Sequence, residues 1–167
     1  MKMKRTILLV GLAACLAWTG CNQTETPVGK GDSAALSAAG EAVEWLTDFP
    51  AALAKAKAEN KRVFLDFTGS DWCSACKMIK KKVLTSAEFL AYAKTDLVLV
   101  ELDFPMNHPQ TDALKAANKA LSEKFKIDGY PTLVVVNADG QELWREEGYD
   151  DDTPKQYVAK LKAIKQK

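Results

Sequence analysis

Apolar and polar positions along residues 41–167 follow two rhythms that take turns. Three stretches are apolar almost without a break: RVFLDF at 62–67, DLVLVELD at 96–103 and PTLVVVN at 131–137. Runs of this length suit strands buried on both faces of a sheet. VEWL at 43–46 reads as a short first strand, and ELWREEGY returns after the turn signal Asp139-Gly140. Between these lie segments with helical start signals. Asp48 or Phe49 caps AALAKAKAEN, with Pro50 in its first turn. The segment carrying Cys73 and Cys76 opens a helix to about 84. Thr85 and Glu88 have capping-box spacing ahead of AEFLAYAK, and Thr111 starts a long helix to about 125. Thr153, Pro154 and Gln156 begin a last helix. The order β-α-β-α-β-α-β-β-α predicts an α/β domain over 41–167. Its central mixed sheet carries helices on both faces, with an antiparallel hairpin at one edge.

The first 40 residues break this rhythm. MKMKR is basic, and the next 15 residues, TILLVGLAACLAWTG, are uncharged and mostly apolar. That is short of the roughly 20 residues of a membrane span. It has the form of a secretory signal over residues 1–20. AWTGC resembles a bacterial lipoprotein box, which implies lipidation of Cys21, although Trp18 stands where Leu is usual. LAAC, ending at Cys15, is a second candidate with a shorter apolar run before it. Residues 21–40, rich in Gly, Ala, Ser and Thr without an apolar period, read as a flexible tether.

Charge and cysteine count narrow the picture further. The formal net charge is +1, and loss of Lys2, Lys4 and Arg5 with residues 1–20 takes it to −2. Such a balance gives no reason to expect nucleic acid as a partner. An exported chain occupies a compartment where disulfides persist, and only Cys73 and Cys76 remain there for protein chemistry. No heptad seam or long edge strand argues for a dimer, so a monomer is expected.

The stretch SDWCSACK at 70–77 poses the functional question. Disulfide exchange needs a thiolate, and helix N-termini stabilise one through partial positive charge and unpaired N–H groups. Lowering a thiol pKa from about 8.5 to about 7 raises the thiolate fraction at neutral pH from roughly 3% to about half. Cys73 lies where a strand gives way to a helix, so an exposed, reactive sulfur is expected there. Cys76, three residues on, shares its helix face and can finish the exchange. Two other readings stay open. Structural zinc needs about four ligands, whereas the exported chain offers two cysteines and His108. A purely structural disulfide across so small a loop constrains the unfolded chain little.

VFLDFTGSDWCSACK, followed about 55 residues later by GYPT and a strand, resembles the thioredoxin family. FTGSDWC and ELDFP are similar to exported bacterial thioredoxin-like proteins and to the C-terminal domain of the periplasmic electron-transfer thiol:disulfide reductase. The resemblance implies a thioredoxin-like fold and a thiol–disulfide oxidoreductase. It implies Cys73 as the attacking and Cys76 as the resolving cysteine, with Trp72 beside the pair. It makes Pro131 a cis-proline facing the disulfide, and Tyr130 a source of backbone hydrogen bonds to substrate. Asp66 matches the buried acid that helps deprotonate the resolving cysteine, with one extra residue between it and Cys73. Independently, a carboxylate in an apolar strand has a raised pKa and can serve as a base near neutrality; a strand-end Asp bonded to loop backbone is the other reading. The redox-active disulfide needs no other cofactor. The implied partners are protein disulfides and an upstream thiol donor, in the periplasm of a bacterium, with the chain held to a membrane by its lipid.

Departures from the family pattern qualify the role. Ser74-Ala75 replaces both the Gly-Pro of thioredoxin and the His-containing dipeptide of strong oxidants, which leans towards a reductant or electron carrier. FPMNHPQTDALKAANKAL is longer than the matching part of thioredoxin, and either lengthens a helix or builds a partner surface. Met106 and His108 within it read as solvated loop residues rather than copper ligands, and no metal site is expected. Lys77 and the run to Lys82 read as a solvated helix face. Trp45, Trp144 and Tyr149 read as packing residues. The alternative functions are a thioredoxin-fold binding module and a dedicated cytochrome-maturation or metallochaperone helper.

Overall fold

The computed structural model describes residues 43–165. The expectations placed on residues 1–40, namely the signal, the lipidated cysteine and the tether, lie outside the described residues. Five strands and five α-helices follow one another as β1 (Trp45–Leu46), α1 (Phe49–Glu59), β2 (Arg62–Thr68), α2 (Ser74–Ile79), α3 (Ala87–Asp96), β3 (Leu97–Asp103), α4 (Asp112–Lys124), β4 (Thr132–Val136), β5 (Glu142–Glu147) and α5 (Pro154–Lys162). The sheet order is β1-β3-β2-β4-β5. β1, β3 and β2 are parallel, whereas β4 runs antiparallel to β2 and β5 antiparallel to β4.

Continuous apolar strands are what a sheet covered on both sides requires. Alternate residues of β2 enter different cores. Val63, Leu65 and Phe67 join Val98, Val100, Leu102, Val134 and Val136 in a cluster closed by Phe49, Ala52, Ala56 and Phe125. Phe64 joins Leu97, Leu99, Leu133 and Val135 on the opposite face, under Ile79, Val83, Phe89, Tyr157 and Leu161. Trp45, Trp144 and Tyr149 pack against this second cluster, as expected of packing residues. Arg62 is buried at the start of β2, where its guanidinium donates to the Leu161 carbonyl at 3.2 Å and to the Tyr92 hydroxyl.

Most element ends form where the cap signals lie. Asp48 accepts from the Ala51 N–H at 2.9 Å, Thr111 caps α4, and Thr153 with Gln156 forms a complete capping box. Gly140 turns the β4–β5 hairpin with φ +77°, a left-handed conformation that glycine adopts without steric cost. Three expectations need correction. β1 is only Trp45–Leu46, because just these two residues pair with β3. The helix from the cysteine segment does not run regularly to 84: it widens into a π turn over Lys80–Leu84. Thr85 is spent closing that turn, its hydroxyl donating to the Lys80 and Lys81 carbonyls at 3.1 and 3.2 Å. The cap of α3 therefore falls one residue later, on Ser86, which accepts from the Phe89 N–H at 3.2 Å.

Candidate active site

The site lies at the carboxyl end of β2, where the chain leaves the sheet and turns into α2. Gly69 makes the turn possible. Its carbonyl accepts from the Trp72 and Cys73 N–H groups at 3.3 and 2.9 Å, and the Trp72 indole lies over its Cα. A Cβ at residue 69 would meet Trp72 Cε2 at 2.4 Å, so no larger residue fits without moving the indole. Cys73 is the N-cap of α2, with its Sγ accepting from the Cys76 N–H at 3.1 Å. Cys73 and Cys76 are joined in a disulfide with S–S 2.06 Å and Cα–Cα 5.3 Å. A sulfur in the N-cap position takes up one of the N–H groups a helix start leaves unpaired, the interaction that favours a thiolate once the bond is reduced.

The expected exposed sulfur is largely covered. Cys73 is 6% exposed and Cys76 2%. Cys73 is drawn in by the tight turn 69–73, where its N–H bonds the Gly69 carbonyl, and by its bond to Cys76. Neither cysteine is a member of either apolar cluster. Trp72 itself remains 39% exposed.

Aromatic rings and hydrogen bonds tie this loop to the segment after β3. The Trp72 and Tyr130 rings meet edge to face at 5.7 Å, and Phe104 lies 5.1 Å from Tyr130. Trp72 Nε1 donates to the Phe104 carbonyl at 2.8 Å. Ser70 donates to Asp103 from both its backbone N–H (2.9 Å) and its hydroxyl (2.6 Å). The Asp71 carboxylate accepts from the Met106 and Asn107 N–H groups at 3.0 and 2.5 Å. The Met106 N–H, with that of Asn107, holds the Asp71 carboxyl below the usual range. Tyr130 precedes Pro131 through a cis peptide, and Pro131 is buried at the start of β4.

Asp66 sits in the middle of β2, on the face that α2 covers. It is 2% exposed, and its Oδ1 has no hydrogen-bond partner. The alternative of a strand-end carboxylate bonded to loop backbone is therefore not what forms. Burial, with the negative charges of Glu101 and Asp103 beside it, pushes the Asp66 carboxyl up to about 7, against an opposing pull from Lys80. Glu101 is its direct partner on β3, and Lys80 bonds Glu101 at 2.8 Å. The lysines from 77 to 82 thus do more than face water: Lys77 donates to the Asp71 carbonyl at 2.8 Å, and Lys82 pairs with Asp151. A lysine run every few residues on one helix reaches different partners because successive residues point about 100° apart.

Residues 49–165 match the Thioredoxin-like domain family. The chain belongs to the thioredoxin-like family. It is 35% identical over 121 residues to the disulfide bond reductase DsbH of Chlamydia pneumoniae, covering 72% of each chain. It is 37% identical over 97 residues to the thiol:disulfide interchange protein DsbD of Vibrio cholerae; the match takes in 58% of this chain but only 14% of that much longer protein. A solved DsbH oxidoreductase superposes with TM-score 0.70 at 32% identity, over 81% of this chain and 93% of that one. With the Cys73–Cys76 disulfide in place, this thioredoxin-like protein is a thiol–disulfide oxidoreductase of the Dsb type.

The thioredoxin-like domain brings together most of the residues singled out from sequence. Cys73 and Cys76 are bonded, Trp72 and Tyr130 are in ring contact, and Asp66 is buried on β2 beside Glu101, on the sheet face where Ile79 of α2 packs. Cys21 and Cys15 fall outside the described residues. Among the described residues, no group of three or more His, Cys, Asp and Glu is placed to hold a metal ion, and no helix is long and apolar enough to cross a membrane. Asp71, Asp103, Phe104, Glu101 and Lys80 were not foreseen in the site. For Glu101 and Asp103 a signal existed: they alternate with Leu102 in a strand beside Asp66, so they share its face.

Proposed function

We propose that this chain is an exported, lipid-tethered reductant that passes two electrons from a thiol donor to disulfides of extracytoplasmic proteins. Cys73, as thiolate, attacks one sulfur of the client disulfide, forming a mixed disulfide and releasing the client's other thiolate, which takes up a proton. Cys76 gives its proton to the Asp66 carboxylate and attacks Cys73 Sγ, releasing the second client thiolate, which takes up a proton as Asp66 returns its own. The client gains two electrons and two protons, and the Cys73–Cys76 disulfide is left for the upstream donor to reduce. Trp72 and Tyr130 border the exchange, and the backbone at Tyr130 and Pro131 receives the client's extended segment.

The observation that carries this reading is the disulfide at the start of α2 together with a buried carboxyl on β2, Asp66, whose Oδ1 has no hydrogen-bond partner. A carboxyl that titrates at about 7 accepts and returns a proton at neutral pH. The uncharged Ser74-Ala75 between the cysteines supports the reducing direction, since no cation there stabilises the dithiol form. The relatives named for reduction and interchange of disulfides support it too. The tether rests on Cys21 after an apolar run that starts at a basic end.

Cys73→Ser should abolish turnover of a protein disulfide by the DTT-reduced chain; full activity in that variant would refute the assignment. Cys76→Ala should accumulate a mixed disulfide whose client can be identified by mass spectrometry, separating one dedicated client from many. A reduction potential near about −270 mV, rather than about −120 mV, is expected of a reductant. Cys21→Ala should move the protein from the membrane fraction to the soluble fraction of an expressing bacterium.

A further inference from the structure

Met106 is 71% exposed, the most exposed large apolar side chain among the described residues. Isolated surface methionines are ordinary, but this one is not isolated. The loop that carries it is fastened to the active-site loop at successive points. Asp103 accepts from Ser70, the Phe104 carbonyl accepts from the Trp72 indole, and the Asp71 carboxylate accepts from the Met106 and Asn107 N–H groups. Gln110 Nε2 also donates to the Asp103 carbonyl at 3.2 Å. Every residue from Ser70 to Trp72 therefore contributes to holding 103–107, and each does so beside Cys73.

Fastening of this kind costs nothing further when a partner arrives, because the backbone is already ordered. It fixes an unbranched, polarisable side chain that adapts to varied apolar partners. The Met106 backbone is held by Asp71, the residue before Trp72, whose ring meets Tyr130 edge to face, with Phe104 tilted against Tyr130. Any protein whose disulfide is exchanged at Cys73 must approach this surface. Both Asp71 oxygens face backbone N–H groups, Lys77 bonds the Asp71 carbonyl, and His108 lies close enough to Asp71 to interact with its charge. Two exposed large apolar side chains, Trp72 and Met106, belong to the two fastened loops.

We propose that Met106, presented by the Asp71-capped loop, is a specificity-determining contact that selects client segments with an apolar residue flanking the disulfide cysteine. This rests on the exchange chemistry assigned to Cys73 and adds to it a preference for sequence.

The test uses the DTT-reduced, desalted full chain and two short synthetic peptide disulfides, one with Leu and one with Ser on either side of the cysteine. Single-turnover rates are read from the Trp fluorescence change on oxidation, with DTNB as a small disulfide that makes no flanking contact. Wild type should react with the Leu peptide about five- to tenfold faster than with the Ser peptide, the scale of partly burying one such side chain. Met106→Ser should bring that ratio to within about twofold of unity, through the Leu rate alone, and leave the DTNB rate within about twofold. Met78→Ser, at an exposed methionine of α2 outside the fastened loop, should keep the ratio. A wild-type ratio near unity, a ratio that survives Met106→Ser, or an equal loss with DTNB would each overturn the proposal. Failure of the exchange chemistry looks different: both wild type and Met106→Ser would then be inert towards DTNB, and the preference would fall with it.

Discussion

The two faces of the sheet are built from alternate residues of the same strands, yet they differ in kind. On one, Val63, Leu65 and Phe67 continue unbroken into Val134, Val136 and Phe125. On the other, the apolar rows of β2 and β3 stop at Phe64 and Leu99, and the next pair is Asp66 beside Glu101, with Leu133 of β4 on its other side, followed by Thr68 beside Asp103. The polar rows lie at the carboxyl ends of the parallel strands, on the side where α2 brings the cysteines. In a parallel sheet covered on both faces, those ends are where loops converge and chemistry collects. One face is a scaffold that responds only to packing. The other holds a charge whose cost depends on pH.

That contrast can be broken by experiment. The largest effect expected is at Asp66, measured on the disulfide form so that no thiol titrates. Its folded pKa of about 7 stands above the unfolded carboxyl value of 3.8. Below about pH 3 both states hold the proton, and the group costs nothing. As pH rises towards 7 the unfolded chain releases the proton first, so stability falls, by an amount on the order of 4 kcal/mol. The groups facing Asp66 are Glu101 and Asp103 from β3, Lys80 from the π turn and Tyr157 from α5. Asp66→Asn should flatten this decline in urea melts between pH 4 and 8 and be the more stable protein at pH 8. A wild-type profile already flat would remove the distinction between the faces.

Leu65→Ala, next along β2 but on the apolar face, should destabilise by about 3 kcal/mol through a cavity and lost burial. The loss should be the same at pH 5 and pH 8, since the buried residues Leu65 clusters with are all apolar; a pH-dependent loss would mean the two faces are coupled. The smallest effect is at Lys80. Lys80→Met leaves Glu101 without its cation and Asp66 with one less opposing charge. The midpoint of the stability decline should move up by about half a pH unit to one unit, Lys80 being half-exposed and partly screened. An unmoved midpoint would show that burial alone sets the Asp66 carboxyl.

Much of this was legible in the chain because the signals are local. Thr153, Pro154 and Gln156 cap α5 where their spacing says they should, and the apolar runs mark β2, β3 and β4 to within a residue or two. The cysteine pair and the proline after Tyr130 announce themselves through short motifs. The errors arose where a neighbour decides. Thr85 has the right spacing for a cap, but the π turn before it claims its hydroxyl. The lysine run looks like a solvated face until β3 supplies Glu101 and the loop after β5 supplies Asp151. The covering of Cys73 depends on the tight turn closed at the Gly69 carbonyl, which no spacing encodes.

Arg62 has a consequence for the far end of the chain. Its cation is sunk at the beginning of an inner strand and relies on oxygens from two helices, one of them the Leu161 carbonyl in the last turn of α5. Shortening the protein to before Leu161 would strip a main-chain acceptor from a charge that water cannot easily reach. The closing helix therefore behaves as a latch on the middle of the sheet. Additions beyond it should be borne far better than deletions into it.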